Sequence, residues 1–501
     1  MAQDHAGDGD VTAEATTAEA TTTEAVTADR RHAAVWPQPV LDLLARDPRR
    51  PVFEDGDRVV DAGEMRESVA RVVVGLRAAG VGPGVGVALD LGVSPEAFAA
   101  TVAAFTVGAR VCGMPPGLAP EQRTDVLARA RVAVVVDEAR LAWLLASPPA
   151  SSVVAAGQPA DVARITWTSG TSGRPKGCVQ TYASMSAAWA PYPEQWPPAV
   201  AALAPRLDRY LVFGSLSSHV MLEYAVLTLS AGGVLVAARP PGFPDAIVRH
   251  RATASVITVG RLHQLVRAQR EDPADLSTLR ALLVSGSPLA PARLTEALDV
   301  LGPVVFHGYG QTETGMIAMV APEEMLAAPA VLATVGRPPA CVDVRERDGE
   351  LWVRTPAQAS GYWGDPRETA GVFADGWVRT RDLGHVDADG YVHLEGRARD
   401  VVIVDAQLVH AGAVERVLEL DPAVAEAYVA ARPDDLTGEA VHAWVVAAHG
   451  QVPDAAALRD RVAATLGTVA VPQTVTLVDH VPLAPSGKPD KSALPEPVVT
   501  A

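Results

Sequence analysis

The segment 165–177 brings hydroxyl groups, glycines and cations together in one short loop. It reads Ile-Thr-Trp-Thr-Ser-Gly-Thr-Ser-Gly-Arg-Pro-Lys-Gly, so an apolar run leads directly into the polar part. Glycines let the backbone turn with its N–H groups inward, and hydroxyl and ammonium groups add donors and positive charge. The pattern predicts a polyphosphate-binding loop, with a flexible polar surface loop as the alternative. The predicted binding residues are Thr168, Ser169, Gly170, Thr171, Ser172, Gly173 and Lys176.

The loop does not follow the Walker A pattern. Counted from Gly170, the second glycine of that motif falls on Pro175, and its serine or threonine falls on Gly177. A second glycine pair at 308 and 310 does not form a dinucleotide fingerprint either, because Glu313 stands where the third glycine belongs. The polyphosphate site must therefore be of another class.

Four more stretches, together with this loop, resemble the motifs of the adenylate-forming superfamily. That superfamily includes acyl-CoA synthetases, the adenylation domains of nonribosomal peptide synthetases and firefly luciferase. The stretches follow in the family's order and are Gly-Tyr-Gly-Gln-Thr-Glu-Thr-Gly at 308–315, Trp-Val-Arg-Thr-Arg-Asp-Leu-Gly at 377–384, Gly-Arg-Ala-Arg-Asp at 396–400 and Pro-Ser-Gly-Lys-Pro at 485–489. The resemblance covers about residues 37–495 and is most similar to acyl-CoA synthetases.

The resemblance implies a ligase that activates an acid as an acyl-AMP and releases pyrophosphate from ATP. Two anions approach each other in that reaction, so cations and hydrogen-bond donors are required. By the resemblance, Glu313 holds Mg²⁺, Tyr309 stacks on adenine and Thr312 contacts the α-phosphate. Asp382 accepts the ribose hydroxyls, and Arg397 adds a ribose or phosphate contact. The implied nucleotide-binding residues beyond the loop are Ser285, Gly286, Ser287, Gly308, Tyr309, Gly310, Gln311, Thr312, Asp382, Arg397 and Lys488.

Lys488 resembles the family's catalytic lysine, which a turn near the C-terminus delivers to the displacement at phosphorus. The implied catalytic residues are Lys488, Glu313, His219, Thr168 and Lys176. The alternatives are an ordinary exposed lysine at 488, a solvated carboxylate at 313 and a surface ion pair between Asp382 and Arg397.

His219 resembles the residue that gates the carboxylate pocket of the family, with a core or surface histidine as the alternative. Amino-acid-activating relatives carry an aspartate at the next position, where this chain has Val220, so an α-amino acid is disfavoured. The implied substrate pocket is mostly apolar and consists of His219, Val220, Met221, Tyr224, Gly286, Gly310 and Met316.

Two positions depart from the family pattern. The Gly-Gly-Glu loop that lines the pantetheine tunnel of CoA ligases is replaced by Val-Asp-Ala-Gln-Leu at 404–408. Losing both glycines removes backbone freedom and close approach, and Asp405 adds an anion. The family's Thr-Gly-Asp reads Thr-Arg-Asp, which places Arg381 next to Asp382. These changes bear on thioester formation more than on adenylation.

Two enzyme hypotheses and one binding hypothesis follow. The first is a carboxylate:CoA ligase, the default, in which rotation about the hinge residue Arg399 presents the acyl-AMP to the CoA thiol. The second keeps adenylation but uses an amine or a carrier-protein thiol as acceptor, including a diazotase-like enzyme that activates nitrite. The third is an inactive nucleotide-binding scaffold, which the joint presence of Glu313, Asp382, Arg397 and Lys488 argues against.

The elements that position these residues alternate between short β-branched runs and segments of helical spacing. The pattern predicts a helix over 68–79, a strand over 86–91 and a helix over 95–107, which is typical of an α/β fold. We predict a disordered tail at 1–32 and an N-terminal domain at 33–398, with mixed sheets, helices and a small β-barrel-like part. A small mobile α+β domain, which carries the lysine, follows at 399–501.

Composition limits the remaining classes. The chain has 501 residues and a formal net charge of -17, which disfavours nucleic acid and anionic membranes as partners. The longest mostly apolar stretch, 225–238, is shorter than the roughly 20 residues that span a bilayer. Three separated cysteines and no signal-peptide pattern favour the cytoplasm. A bacterial enzyme of secondary metabolism, monomeric or homodimeric, is expected.

Overall fold

The computed structural model describes residues 35–114, 119–168, 175–216, 218–239, 242–287, 289–405, 407–434, 436–484 and 488–497. The predicted tail at 1–32 lies outside these residues. The strands are β1 (Pro51–Asp55), β2 (Arg58–Asp61), β3 (Gly86–Leu89), β4 (Arg110–Gly113), β5 (Val132–Val136), β6 (Val162–Thr168), β7 (Lys176–Thr181), β8 (Arg209–Val212), β9 (Val234–Ala237), β10 (Ala254–Thr258), β11 (Ala281–Ser285), β12 (Val305–Gln311), β13 (Gly315–Val320), β14 (Asp343–Arg347), β15 (Glu350–Arg354), β16 (Gly361–Tyr362), β17 (Phe373–Ala374), β18 (Trp377–Val386), β19 (Val392–Arg397), β20 (Val401–Val404), β21 (Gln407–His410), β22 (Val424–Asp434), β23 (Gly438–Ala447) and β24 (Thr474–Leu477).

Helices connect most of these strands. They are α1 (Gln38–Arg46), α2 (Ala62–Ala78), α3 (Pro95–Thr106), α4 (Pro120–Arg129), α5 (Glu138–Leu145), α6 (Tyr182–Ser186), α7 (Pro198–Leu203), α8 (His219–Ser230), α9 (Asp245–His250), α10 (Val259–Glu271), α11 (Pro291–Leu301), α12 (Pro322–Ala327), α13 (Pro366–Val372), α14 (Ala411–Glu419) and α15 (Ala455–Leu466). Among the described residues, no helix is both long and apolar enough to cross a bilayer.

The predicted elements occur, with shifted ends. Helix α2 begins six residues before the predicted start, because the Asp61 side chain accepts a hydrogen bond from the Glu64 N–H at 2.8 Å and caps the helix there. The predicted strand at 86–91 ends two residues early, at Leu89. Helix α3 begins at Pro95 as predicted, since Ser94 caps it.

Two mixed sheets build most of the molecule. The first has the order β13-β12-β11-β10-β8-β9-β1-β2 and the second has the order β16-β7-β6-β4-β3-β5. Their inner strands pair in parallel, and antiparallel strands close several edges. One apolar core reaches from Phe53 and Tyr210 in the first sheet to Val87 and Val111 in the second. The fold is therefore the predicted mixed α/β arrangement.

A third sheet, β14-β15-β18-β17 with β19 beside β18, is antiparallel and contains the predicted small β-rich part. The fourth sheet, β21-β20-β23-β22 with β24 beside β23, contains only residues after 400 and has its own apolar core with α14 and α15. It contacts the preceding part through Glu426, whose Oε1 lies 2.7 Å from Nδ1 of His263 and 3.8 Å from Nη2 of Arg293. These contacts hold the C-terminal unit against α10 and α11.

Candidate active site

The predicted phosphate loop joins β6 and β7, which pair antiparallel with Thr168 opposite Lys176. The Thr168 hydroxyl donates to the Lys176 carbonyl at 3.4 Å, so the two ends of the loop lie together. Five predicted loop residues fall outside the described residues, namely Ser169, Gly170, Thr171, Ser172 and Gly173. The hairpin thus fixes where the loop starts and ends.

Lys176 belongs to an ion cluster centred on Glu368, a residue that sequence reasoning missed. The Glu368 carboxylate lies 2.6 Å from Nζ of Lys176 and 2.5 Å from Nη1 of Arg381. All three side chains are largely buried. The hydrogen bond from Arg381 is the main reason that the pKa of Glu368 falls to about 2, and Lys176 lowers it further, against the opposing effect of burial. Glu368 is thus a persistent anion beside the phosphate loop.

Arg381 is the departure from the family's Thr-Gly-Asp, and it keeps a backbone that suits glycine. Its φ is +61°, in the left-handed region. The side chain is 16% exposed and pairs with Glu368. This substitution was the one sequence signal that could have led to Glu368.

Asp382 is buried between two motifs. Its Oδ2 accepts from the Tyr309 hydroxyl and from Nε2 of Gln311, each at 2.6 Å, and its Oδ1 lies 2.7 Å from Nε of Arg397. A carboxylate has about four acceptor positions, so these three donors leave room for about one more. Burial and the neighbouring Asp382 charge raise the pKa of Tyr309, which stays a neutral donor.

The hairpin of β12 and β13 carries the second motif. Gly310 has to be glycine because an added Cβ would lie 2.4 Å from the Gly315 carbonyl oxygen, and at Gly308 it would lie 3.2 Å from Cδ1 of Leu283. The hairpin therefore packs closely on β11, whose end is Ser285. The neighbouring positions Gly286 and Ser287 follow directly, so the structure brings these three predicted residues to the hairpin.

Glu313 lies in the turn between β12 and β13, next to Thr312. Its Oε1 accepts a 2.7 Å hydrogen bond from the hydroxyl of Tyr362, a second residue missed from sequence, and the Thr312 carbonyl accepts from Sγ of Cys178 at 3.5 Å. Magnesium binds proteins through one or two carboxylates completed by substrate phosphates. A single half-buried carboxylate beside the phosphate loop fits that requirement. Among the described residues, no cluster of three or more His, Cys, Asp or Glu side chains could hold a metal.

Lys488 reaches this same cleft. Its Cε lies 3.5 Å from where a Cβ on Gly286 would stand. Partial desolvation and the Arg397 charge lower the pKa of Lys488, while Glu313 and Asp382 oppose that shift. The side chain keeps access to solvent along the cleft. Residues from motifs almost 200 positions apart therefore surround one ammonium group.

The predicted acid pocket gathers around the N-terminal half of α8. The Tyr224 hydroxyl lies 4.0 Å from Sδ of Met316, and Met316 pairs with Gly310 across the hairpin. The Tyr210 hydroxyl lies 3.3 Å from Sδ of Met221. Val220 is exposed, at 38%. The structure thus brings Tyr224, Met316 and Gly310 together.

A second, polar cavity lies on the other face of α8. His219 and Glu223 are one helical turn apart, and their Nε2 and Oε2 atoms are separated by 3.8 Å. Arg164 from β6 faces the same cavity and donates from Nε to Oε1 of Gln180 at 2.9 Å. Sequence reasoning missed Arg164, Gln180 and Glu223. The available signal was a charged residue inside each of two otherwise apolar segments.

The hinge region connects to the ion cluster. Arg399 lies 4.0 Å from the Glu368 carboxylate, and Asp400 pairs with Lys491 at 2.5 Å. The following hairpin of β20 and β21 pairs Val404 with Gln407, so 405 and 406 form its turn. Asp405 adopts a φ of +48°, which glycine adopts more easily.

Fold and site together define the class of protein, an AMP-forming ligase. Family models match two segments: that of the AMP-binding enzyme covers residues 42–363, and that of the AMP-binding enzyme C-terminal domain covers residues 413–488. The chain belongs to the AMP-binding enzyme family, which confirms the predicted resemblance and the predicted adenylate-forming ligase.

Individual relatives differ in their acceptors. The amide bond synthetase McbA from Marinactinospora thermotolerans is 33% identical, with a TM-score of 0.77, over 90% of this chain and 98% of that one. A feruloyl-CoA synthase from Amycolatopsis is 30% identical over 88% of this chain and 94% of its own length. The fatty acid--[acyl-carrier-protein] ligase ScoC from Streptomyces coeruleorubidus is 33% identical over 64% of each chain.

Proposed function

We propose that this enzyme activates a small, non-amino acid as an acyl-AMP and transfers the acyl group to an amine, forming an amide. The observation that carries the choice of acceptor is the turn at 405–406. In CoA ligases the corresponding turn is a glycine pair that lines the pantetheine tunnel, whereas here Asp405 keeps the left-handed backbone but adds a side chain and a negative charge. The likeness to an amide bond synthetase over nearly the whole chain supports the same acceptor.

In the first step the acid carboxylate attacks the α-phosphorus of ATP, and pyrophosphate leaves. Lys488 supplies positive charge to the phosphate and acid oxygens as they approach, and the loop with Lys176 holds the β- and γ-phosphates. Asp382 and Arg397 hold the ribose. Glu313 would hold Mg²⁺, which when bound neutralises phosphate charge.

In the second step the C-terminal unit rotates about Arg399 and removes Lys488 from the cleft. The amine nitrogen then attacks the acyl carbon, and AMP leaves with the electron pair of the broken C–O bond. An amine needs no long tunnel, so the substituted turn at 405–406 does not obstruct it. The His219 side chain borders the pocket where this attack takes place.

Transfer to CoA is the second candidate, favoured by the feruloyl-CoA synthase that matches almost end to end. A carrier-protein thiol and nitrite activation follow from the same adenylation step. The predicted cytoplasmic location and the monomeric or homodimeric state stay predictions, as do the boundaries at 32 and 398.

The test measures ATP–pyrophosphate exchange with aryl, fatty, dicarboxylic and amino acids and with nitrite, then AMP release with CoA or with a panel of amines. We expect exchange with a carboxylic acid and amide formation with an amine, with AMP release indifferent to CoA. A matched variant, Asp405→Gly with Ala406→Gly, restores the glycine pair and is expected to leave amide formation unchanged. Thioester formation by the wild-type enzyme at a rate above that of amide formation would refute the amine acceptor.

A further inference from the structure

The polar cavity beside α8 is enclosed by parts of the chain far apart in sequence. Its charged and polar lining consists of Arg164 and Gln180 from the β6–β7 hairpin and His219 and Glu223 from α8. Its apolar lining includes Trp36, Met185, Leu222 and Val226. About 390 Å³ of space lies between these atoms. The cavity touches the active site through His219, yet adenylation gives no task to Arg164 or Glu223.

The charges in this cavity are not fully used by the protein. Arg164 is 3% exposed, and its guanidinium binds the neutral Gln180 and has no carboxylate within 4.0 Å among the described residues. Trp36 is 4% exposed, and its indole Nε1 has no hydrogen-bond partner among the described residues. A buried donor without a partner costs free energy. Such groups beside open space point to a polar ligand.

We infer, resting on the proposed amide synthesis, that this cavity binds the acceptor amine and that Glu223 accepts the proton that the amine loses as it attacks. The apolar lining fits an amine carried on an aryl or alkyl body. The nitrogen lone pair forms the C–N bond to the acyl carbon, the C–O bond to AMP breaks with its electron pair on AMP, and the proton passes from nitrogen to the Glu223 carboxylate.

Electrostatics favour these roles. Burial raises the pKa of Glu223 to about 7, and Arg164 opposes that rise, so carboxylate and carboxylic acid are both populated near neutral pH. Burial and Arg164 hold the pKa of His219 well below 6.5, which keeps the ring neutral. The charge of Arg164 also disfavours an ammonium ion in the cavity and keeps the amine in its nucleophilic form. Besides these two groups, only the neutral phenol of Tyr224, on α8 itself, is coupled to Glu223.

The test compares Glu223→Gln and Glu223→Asp with the wild-type enzyme. For each, ATP–pyrophosphate exchange reports adenylation, and kcat/KM for an amine reports transfer. We expect Glu223→Gln to lower kcat/KM for the amine about 100-fold or more and to leave exchange within threefold of wild type. Glu223→Asp keeps a carboxylate and is expected to recover part of the loss. Glu419→Gln is the matched control, because Glu419 is also buried with its pKa raised, to about 8, but lies on α14 outside the cavity.

A pH profile separates a proton acceptor from a structural role. With aniline, which stays neutral above pH 6, transfer by the wild-type enzyme should fall as the pH drops below about 7. That fall should be absent in Glu223→Gln. Equal loss of exchange and transfer, or an unchanged profile, would overturn the inference. Exchange without transfer to any amine overturns it together with the amine acceptor but leaves adenylation intact, and no exchange at all refutes the proposed function itself.

Discussion

Glu368 provides a measurable test of the ion cluster around the phosphate loop. The carboxylate binds Lys176 and Arg381 and is only 19% exposed, and its pKa is lowered from 4.5 to about 2. A depressed acid stabilises the folded state above its unfolded pKa and loses this effect as the pH falls through the folded value. The shift corresponds to about 3 kcal/mol of stability at pH 7 and about 1.5 kcal/mol at pH 3.

Replacing Glu368 with glutamine removes the charge and keeps the shape. We expect the variant to be less stable than wild type by about 3 kcal/mol at pH 7, with the difference about halved at pH 3. Urea unfolding followed by tryptophan fluorescence from pH 7 to pH 3 measures it. Glu67→Gln is the control, since Glu67 pairs with Arg71 on the exposed face of α2, and such pairs contribute about 0.5 kcal/mol. A Glu368→Gln variant as stable as wild type at pH 7, or a difference that does not change with pH, would refute the reasoning.

Three further predictions concern the nucleotide site. Lys488→Ala should lower exchange about 100-fold or more with unchanged far-ultraviolet circular dichroism, and near wild-type exchange would remove Lys488 from the catalytic residues. Asp382→Asn should raise KM for ATP about tenfold or more, since it weakens the contacts with Arg397 and ribose, and an unchanged KM would contradict the ribose role. Tyr362→Phe removes the hydrogen bond to Glu313 and should lower the free energy of unfolding by about 1–2 kcal/mol in thermal denaturation, whereas an equally stable variant would show that water replaces the hydroxyl.

Motifs that act through short sequence patterns were predictable. The loop at 165–177, the hairpin at 308–315 and the lysine at 488 each carry their residue types within a few positions. The structure places Lys488 beside Gly286 and joins Tyr309 and Gln311 to Asp382, which agrees with one shared site. The α/β class was predictable for the same reason, since hydrophobic periodicity is local.

Contacts between distant segments were not predictable from one sequence. Glu368 meets Lys176 across 192 positions, and Tyr362 meets Glu313 across 49. Arg164 and Glu223 lie in apolar segments, where only the tertiary structure tells whether a charged residue faces solvent or a cavity. The early start of α2 was missed because its first turn is polar and contains Gly63, so the cap at Asp61 left no apolar period to detect.

Glu368 is shared by two parts of the enzyme that move at different times. One carboxylate contacts Lys176 of the phosphate loop and lies 4.0 Å from Arg399, the proposed hinge. Phosphates that draw Lys176 away from Glu368 change the field at Arg399, and rotation that withdraws Arg399 changes the field at Lys176. Thermodynamic linkage makes this influence equal in both directions. The factor by which bound ATP shifts the domain orientation is therefore the factor by which orientation shifts ATP affinity, and Glu368 sets part of its size.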